Sequence, residues 1–366
     1  FYTMLINILL PHKEKFSQNK ASSVSITVRN NLKYTKYKKN IKVFGQKVKN
    51  PLFNKNFYGI ENHWNILKSK NLNLAMQMCN HINKKQTSKQ VLEIHNRPYL
   101  IKSIKKKLNG NHILSLFFHN NPIEMKGSMT TKDRKELLSH VDKIYCVSEF
   151  IKKKFLQGIC DKEKKVVVLY NGVLRKLNSF PSKKKEVIFV GRIVKEKGVD
   201  LLVNAISHLS PIYSDWHFKI IGSPKLGINK FDNFFAKQIQ AKIRSLNNNV
   251  SLLGYVSPEE LESIMSRASI IVIPSVWEEP FGLVAAEAMA NGVAIISSER
   301  GALPEIIQNN GMYIKNLNEN EIISKLEKLM INKILLNEMQ KNSWNNFKMD
   351  AQSSSKQLDS YREELL

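Results

Sequence analysis

Val187-Ile188-Phe189-Val190-Gly191-Arg192-Ile193-Val194-Lys195-Glu196-Lys197-Gly198 opens the second half of this 366-residue chain, and its reading decides the fold. Val187–Val190 is a short apolar strand that ends at glycine. A cationic loop follows. At Gly198 the period changes, and Val199, Leu202, Val203, Ile206 and Leu209 fall on one helix face. The alternation then repeats. His217–Ile221 reads as a strand ending at Gly222, Phe231–Leu246 as a helix, and Val250–Leu253 as a strand ending at Gly254. Ser257-Pro258-Glu259-Glu260 supplies an N-cap and a first-position proline for a helix running to Arg267. Ile270–Ile273, Gly282–Asn291 and Val293–Ser297 continue as strand, helix and strand. Apolar strands alternating with helices specify a parallel sheet covered on both faces. Ligands of such a sheet bind beyond the carboxyl ends of its strands.

The first half shows the same alternation less cleanly. Met4–Leu10 reads as a strand stopped by Pro11, and Ala21–Asn30 as the start of a helix. Residues 31–60 are basic and weakly periodic, with Ile41–Phe44 as their one expected strand. Trp64–Lys70 and Leu72–Asn83 look helical. Val91–His95 and His112–His119 are two apolar strands that each run into His-Asn-x-Pro. Thr131–His140 is a helix, Lys143–Val147 a strand, Glu149–Leu156 a helix and Val166–Leu169 a strand. Leu174–Lys185 is a polar linker. The expected architecture is α/β, with two Rossmann-like doubly wound domains facing a central cleft: residues 1–178, joined by a returning helix at about 345–366, and residues 179–344.

Composition narrows the function classes. Hydrophobic residues make up 42% and charged residues 24%, a globular balance. No apolar run is long enough for a membrane-spanning helix, and the short opening Phe1–Leu10 lacks the basic start of a signal peptide. Cys79, Cys146 and Cys160 form no C-x-x-C pair, so a cytoplasmic setting is expected. The charge is uneven. Of 57 Lys+Arg and 31 Asp+Glu, residues 1–185 hold 38 and 10, net +28, whereas residues 186–366 are net −2. A/T-rich codon bias would raise lysine in both halves, so it does not account for the split.

Two loops carry candidate chemistry. In the first, Gly191 to Gly198 presents backbone N–H groups and a helix start, with Arg192 and Lys197 adding positive charge, an arrangement suited to an anion. In the second, Ile273-Pro274-Ser275-Val276-Trp277-Glu278-Glu279-Pro280-Phe281-Gly282-Leu283 leads from a strand into a helix, and Glu287 follows Glu279 by eight positions. A phosphate at that helix mouth, with hydroxyls reaching the carboxylates on either side, is a nucleotide-sugar arrangement. Alone, the first loop is better read as a solvated basic αβ loop, and a lone pair of glutamates as an ordinary helix start.

Together these stretches resemble the retaining glycosyltransferases of the GT-B fold, family four (glycosyl transferases group 1). Gly191, Arg192 and Lys197 match that family's G-x-[RK]-x(4)-KG-like loop, and Glu279 and Glu287 its E-x(7)-E element. Leu253-Gly254-Tyr255-Val256, Pro274-Ser275 and Gly301-Ala302-Leu303-Pro304-Glu305 match further positions, densely from about Val187 to Glu305. Cys146-Val147-Ser148-Glu149 and Tyr170-Asn171-Gly172-Val173 extend the match more thinly into the first half.

The resemblance implies roles. Arg192 and Lys197 would hold the donor diphosphate and stabilise the leaving group. Glu287 would bond the ribose and Glu279 the transferred sugar. The amides of Phe281, Gly282 and Leu283 would approach the phosphate or sugar, and Gly254 and Tyr255 would lie beside the base. His119 would sit near donor sugar and acceptor. Ser22, Ser23, His95 and Arg97 are acceptor-side candidates. The donor would be a UDP-, GDP- or ADP-sugar, transferred with retention by a front-face route in which the leaving phosphate takes the acceptor proton. No metal or other cofactor is expected: no two of the eight aspartates form Asp-x-Asp, and the cations replace the ion.

The chain departs from the family where a glycine pair is common. The loop after the first strand reads Asn19-Lys20-Ala21-Ser22-Ser23-Val24, so serine hydroxyls and a helix start stand in their place. Leu174 stands where an aspartate is common, and Trp344–Asp350 resembles the segment returning to the first domain. The leading expectation is transfer to a surface-glycan or lipopolysaccharide-core-type acceptor, with the basic half peripherally bound to an anionic inner membrane face. The alternatives are a soluble sugar synthase of the same fold and, in a different class, a basic nucleic-acid binder using Lys105–Lys107 and Lys152–Lys154. No nucleic-acid module is recognisable, and that class leaves Glu279 and Glu287 unexplained, so no nucleic acid is expected as partner.

Overall fold

A computed structural model describes residues 4–17, 22–61, 69–84, 89–159, 163–225 and 229–366. Most of the expected Trp64–Lys70 helix, the Asn19-Lys20-Ala21 part of the loop after the first strand, and Cys160 lie outside the described residues. The chain divides into two compact units, Phe1–Gly172 with Ala351–Leu366, and Val173–Asp350. Residues 173–178 and 345–350 thus go with the second unit, where the sequence reading set the boundaries at 178 and 345. The reason is local: Val173 pairs with Asp350 and donates its N–H to Met349 O, at 2.8 Å.

The first unit contains β1 (Ile6–Leu9), β2 (Ile41–Gln46), β3 (Phe57–Ile60), β4 (Val91–His95), β5 (Ile113–Phe118), β6 (Lys143–Cys146) and β7 (Val166–Val168). They form one parallel sheet in the order β3-β2-β1-β4-β5-β6-β7. The order reverses between β1 and β4, and a doubly wound sheet opens its crevice at such a point. Two elements were not expected from the sequence: β3, a four-residue strand with Tyr58 and Gly59 exposed, and the helix Ile101–Lys107, whose buried face is only Ile101 and Ile104. Each is too short to show a period.

The final helix, Ala351–Glu363, packs on the first-unit helix Ser23–Tyr34. Ser355 Oγ donates to Asn31 O at 2.9 Å, Thr35 Oγ1 donates to Asp359 Oδ1 at 2.7 Å, and Arg362 makes a bidentate pair with Glu93 at 2.7 and 2.8 Å.

The second unit contains β8 (Lys184–Val190), β9 (His217–Ile221), β10 (Val250–Gly254), β11 (Ala268–Ile273), β12 (Ala294–Ser298) and β13 (Gly311–Ile314). This sheet is also parallel, in the order β10-β9-β8-β11-β12-β13, and reverses between β8 and β11. Lys184 and Lys185, read as linker, start β8. The helix read as Phe231–Leu246 is Phe234–Arg244, capped by Asn233. Two helices, Glu319–Ile331 and Lys333–Asn345, follow β13. One core runs from Val187, Phe189 and Phe218 through Ile270 and Ile296 to Leu326 and Leu329.

Candidate active site

The two motif loops of the second unit leave adjacent strands at the reversal of the sheet, the loop 191–198 from β8 and the loop 274–282 from β11. The first is drawn into a single turn, Lys195–Lys197, that ends at Gly198 with φ +64°. A Cβ there would lie 2.0 Å from Pro274 O, so only glycine lets the two loops touch. Val276 and Trp277 N–H then donate to Glu196 O at 2.9 and 3.3 Å.

This contact brings Lys197 onto Glu279. The ammonium pairs with Glu279 Oε1, which also accepts from Ser275 Oγ at 2.5 Å. The carboxylate side chain is only 9% exposed. Lys197 Nζ also lies 5.5 Å from the centre of the Trp277 ring. Glu279 is held from behind as well: Ala302 N–H donates to its carbonyl at 2.8 Å, and a Cβ at Gly301 would strike the Glu279 backbone at 2.3 Å. Arg192 is exposed at the mouth of the loop, beside Gly191.

The helix Leu283–Ala290 starts at Gly282 without a side-chain cap, and its first backbone bonds are made by Ala285 and Ala286 N–H to Gly282 O. The amides of Leu283 and Val284 therefore have no partner within the helix. Phe281 is buried beneath this turn. Glu287 is the one ionisable residue of the eight in this helix and remains half-buried, among buried Ala285, Ala286, Ala288, Met289 and Ala290. A carboxylate is costly in such a helix unless it serves a contact. At the end of β10, Asn229 clasps Tyr255 by accepting from its N–H and donating to its carbonyl at 3.1 Å. Gly254 lies against this clasp. The sequence marks Ser275 as a family position without giving it a role, and it does not single out Trp277 or Asn229; Asn229 carries no motif that could reveal it.

In the first unit, His95 and His119 come together at the carboxyl ends of β4 and β5. His95 Nδ1 lies 2.8 Å from His119 Nε2, and the His95 ring stacks on Phe117 with centroids 4.3 Å apart. Asn96, at φ +54°, accepts from His119 N–H at 2.9 Å. Burial pushes His119 down to about 3 and His95 well below the ordinary histidine value, so both rings are neutral near pH 7. Arg97 bonds the Asn96 carbonyl at 2.6 Å.

Ser22 and Ser23 start the Ser23–Tyr34 helix, but Ser22 does not cap it with its hydroxyl. The Glu14 carboxyl lies near the Ser25 backbone N–H, and Ser22 Oγ, Ser25 Oγ and Glu14 Oε2 are buried without a partner. Burial raises Glu14 to about 7, against smaller opposing effects of the Ser25 N–H and Arg97. A raised carboxyl favours the fold below its unfolded value of 4.5, and that contribution is lost as pH rises through about 7. Glu14→Gln keeps the carbonyl acceptor and removes the ionisation. It is expected to stabilise the first unit by about 1–3 kcal/mol at mildly alkaline pH and to flatten the pH dependence between those values, read by urea unfolding. Equal stability of the two proteins at alkaline pH would contradict it.

Cys79 and Cys146 are buried, and burial holds both thiols above their ordinary range, which leaves them unreactive. Among the described residues no three His, Cys, Asp or Glu side chains converge as a metal site.

The two parallel α/β sheets with their helices have the GT-B fold. Residues 172–345, just under half of the chain, match the family model described as glycosyl transferases group 1. An uncharacterized glycosyltransferase of Methanocaldococcus jannaschii is 34% identical over 239 residues, 63% of this chain and 62% of the relative. The lipopolysaccharide 1,2-N-acetylglucosaminetransferase of Salmonella typhimurium is 24% identical over 229 residues, 59% of this chain and 56% of that one. The chain thus spans less than two thirds of these relatives.

Solved structures match over the whole length. Anabaena HepE in complex with UDP and glucose has a TM-score of 0.74 at 14% identity, covering 99% of this chain and all of that one. The apo lipopolysaccharide outer core galactosyltransferase WaaB has 0.68 at 15% identity, again covering 99% of this chain and all of that one.

Proposed function

We propose that this chain is a retaining glycosyltransferase that moves a sugar from a nucleoside-diphosphate sugar to a glycan acceptor of the surface-polysaccharide or lipopolysaccharide-core type. The observation that carries the reading is the Lys197–Glu279 pair at the sheet reversal, beside the uncapped start of the Leu283 helix. Lys197 and Arg192 are the cations for the diphosphate, and the Leu283 and Val284 amides add donors to it. Glu279 accepts from sugar hydroxyls, Glu287 from the ribose, and Tyr255, fixed by Asn229, presents backbone to the base. With these cations neutralising the leaving group, transfer needs no metal ion. The HepE complex with UDP and glucose, and the lipopolysaccharide enzymes among the similar proteins, support the donor and acceptor classes.

A panel of UDP-, GDP- and ADP-sugars tests this. One donor class is expected to raise the melting temperature and to be slowly hydrolysed, and Glu279→Ala should abolish both effects. No response to any donor would end the reading.

The basic first half supports a second element of the proposal, peripheral attachment to an anionic membrane surface. Lys105, Lys106, Lys107 and Lys153 are exposed. Charge alone offers about 1 kcal/mol per basic residue near such a surface. Sedimentation with vesicles containing anionic lipid, lost in high salt and on Lys105/Lys106/Lys107→Ala, is the expected result. Equal binding to neutral vesicles would remove the membrane from the proposal.

A further inference from the structure

A small cavity lies inside the first unit, between the Ser23–Tyr34 helix, β4 and the final helix. Its volume is about 10 Å³, and Asn31, Glu93, His95, Phe117, Leu358 and Arg362 line it. Two atoms of its lining, His95 Nε2 and Asn31 Oδ1, are buried without a hydrogen-bond partner. An orphaned buried polar atom costs about 1–3 kcal/mol. That volume matches the smallest space that admits one water, and a buried water takes two to four polar partners.

We propose that this cavity is a site for one buried water joining His95 Nε2 to Asn31 Oδ1, and that His95 is thereby a positioning residue that fixes the tautomer of His119. The inference rests on the proposed glycosyltransferase function and on the place beside the transferred sugar that the family resemblance implies for His119.

Donor and acceptor counting gives the direction. Asn31 Oδ1 can only accept, so the water donates to it. The carboxylate of Glu93 also only accepts. It takes two bonds from Arg362 and keeps lone pairs for the second water proton. The water oxygen is then the acceptor for His95, which must carry its proton on Nε2. His95 Nδ1 is left as an acceptor, so the 2.8 Å bond between the rings is donated by His119 Nε2–H. His119 Nδ1 is then a bare acceptor at the carboxyl end of β5. It suits a hydroxyl group and disfavours an anion.

Both rings stay neutral near pH 7, so a single tautomer persists there. The competing arrangement has Arg362 donating to the water, the water donating to His95 Nε2, and both rings protonated on Nδ1.

Long-range proton–nitrogen spectra of the full chain labelled with ¹⁵N-histidine separate the two. His95→Gln and His119→Gln assign the signals among the nine histidines. The expected spectrum shows His95 and His119 both in the Nε2–H form near neutral pH. Asn31→Leu fills the cavity and removes the acceptor. It should mix the tautomers of both rings and lower kcat/KM about 10-fold, with little change in melting temperature. Nδ1–H forms in the parent protein, or unchanged tautomers in Asn31→Leu, overturn the proposal. Should the tautomers be as expected while His119→Gln transfers sugar normally, the relay stands and the sugar-facing role of His119 falls.

Discussion

Glu279→Ala and Lys197→Ala are each expected to lower kcat/KM for sugar transfer by about 10²–10³-fold. In the free protein the two groups satisfy each other, with Ser275 Oγ holding the same carboxylate oxygen. Under the proposed function, donor binding would exchange these partners, Lys197 for diphosphate oxygens and Glu279 for sugar hydroxyls. The pair would then keep the two charges aligned until the donor arrives.

Removing either partner leaves the other charge unmatched, and Glu279 is the more buried of the two. Lys197→Ala should accordingly destabilise the second unit more than Glu279→Ala does. The double variant should be no worse than the poorer single one, a non-additivity expected of residues acting as one unit. Ser275→Ala should show a smaller loss, since it removes one bond and no charge. Kinetics with the donor found by the panel, together with melting curves, check all four proteins. Additive losses across the cycle, or transfer within twofold of the parent in Glu279→Ala, would contradict the shared role.

The motif loops were legible because their chemistry is sequential. A strand, a glycine, cations and a second glycine occur within twelve residues, and the contact of Gly198 with Pro274 O fixes where that loop lies. Strands with continuous apolar runs were legible for the same reason: Val187–Val190 and Ile270–Ile273 need only local pattern. What sequence could not show is pairing across distance. Glu93 sits inside an otherwise apolar strand, VLEIH, which signals that a cation must meet it. Nothing local selects Arg362 from 57 basic residues. Likewise Asn31, Asn229 and Glu14 act through contacts that only the folded backbone creates. The His-Asn-x-Pro repeat was visible, but not that Asn96 alone of its two asparagines takes a left-handed backbone, which lets its side chain reach His119 N–H.

Arg362→Ala is expected to cost the first unit about 3–5 kcal/mol, the usual result of breaking a buried ion pair from one side. Arg362 and Glu93 are each 1% exposed, and the guanidinium also meets Asp359 Oδ1 at 2.9 Å. Burial pulls this guanidinium down, yet the two carboxylates outweigh it and hold it above its ordinary value. Alanine would leave Glu93 charged in the middle of a seven-stranded sheet, with no cation in reach on β1 or β5, whose neighbouring residues are Ile8 and Ser115.

The loss should concentrate where the final helix returns to the first unit, because Glu93 and Arg362 are its deepest tie. Urea unfolding should then show an early transition in Arg362→Ala, while donor-protected melting of the second unit stays put. Glu93→Met with Arg362→Met tests the sign of the pair itself. An apolar replacement of both charges is expected to recover most of the stability, since desolvation offsets much of the attraction. If Arg362→Ala costs under about 1 kcal/mol, the pair behaves like a surface salt bridge. The final helix would then be held by its serine contacts and packing rather than by this network.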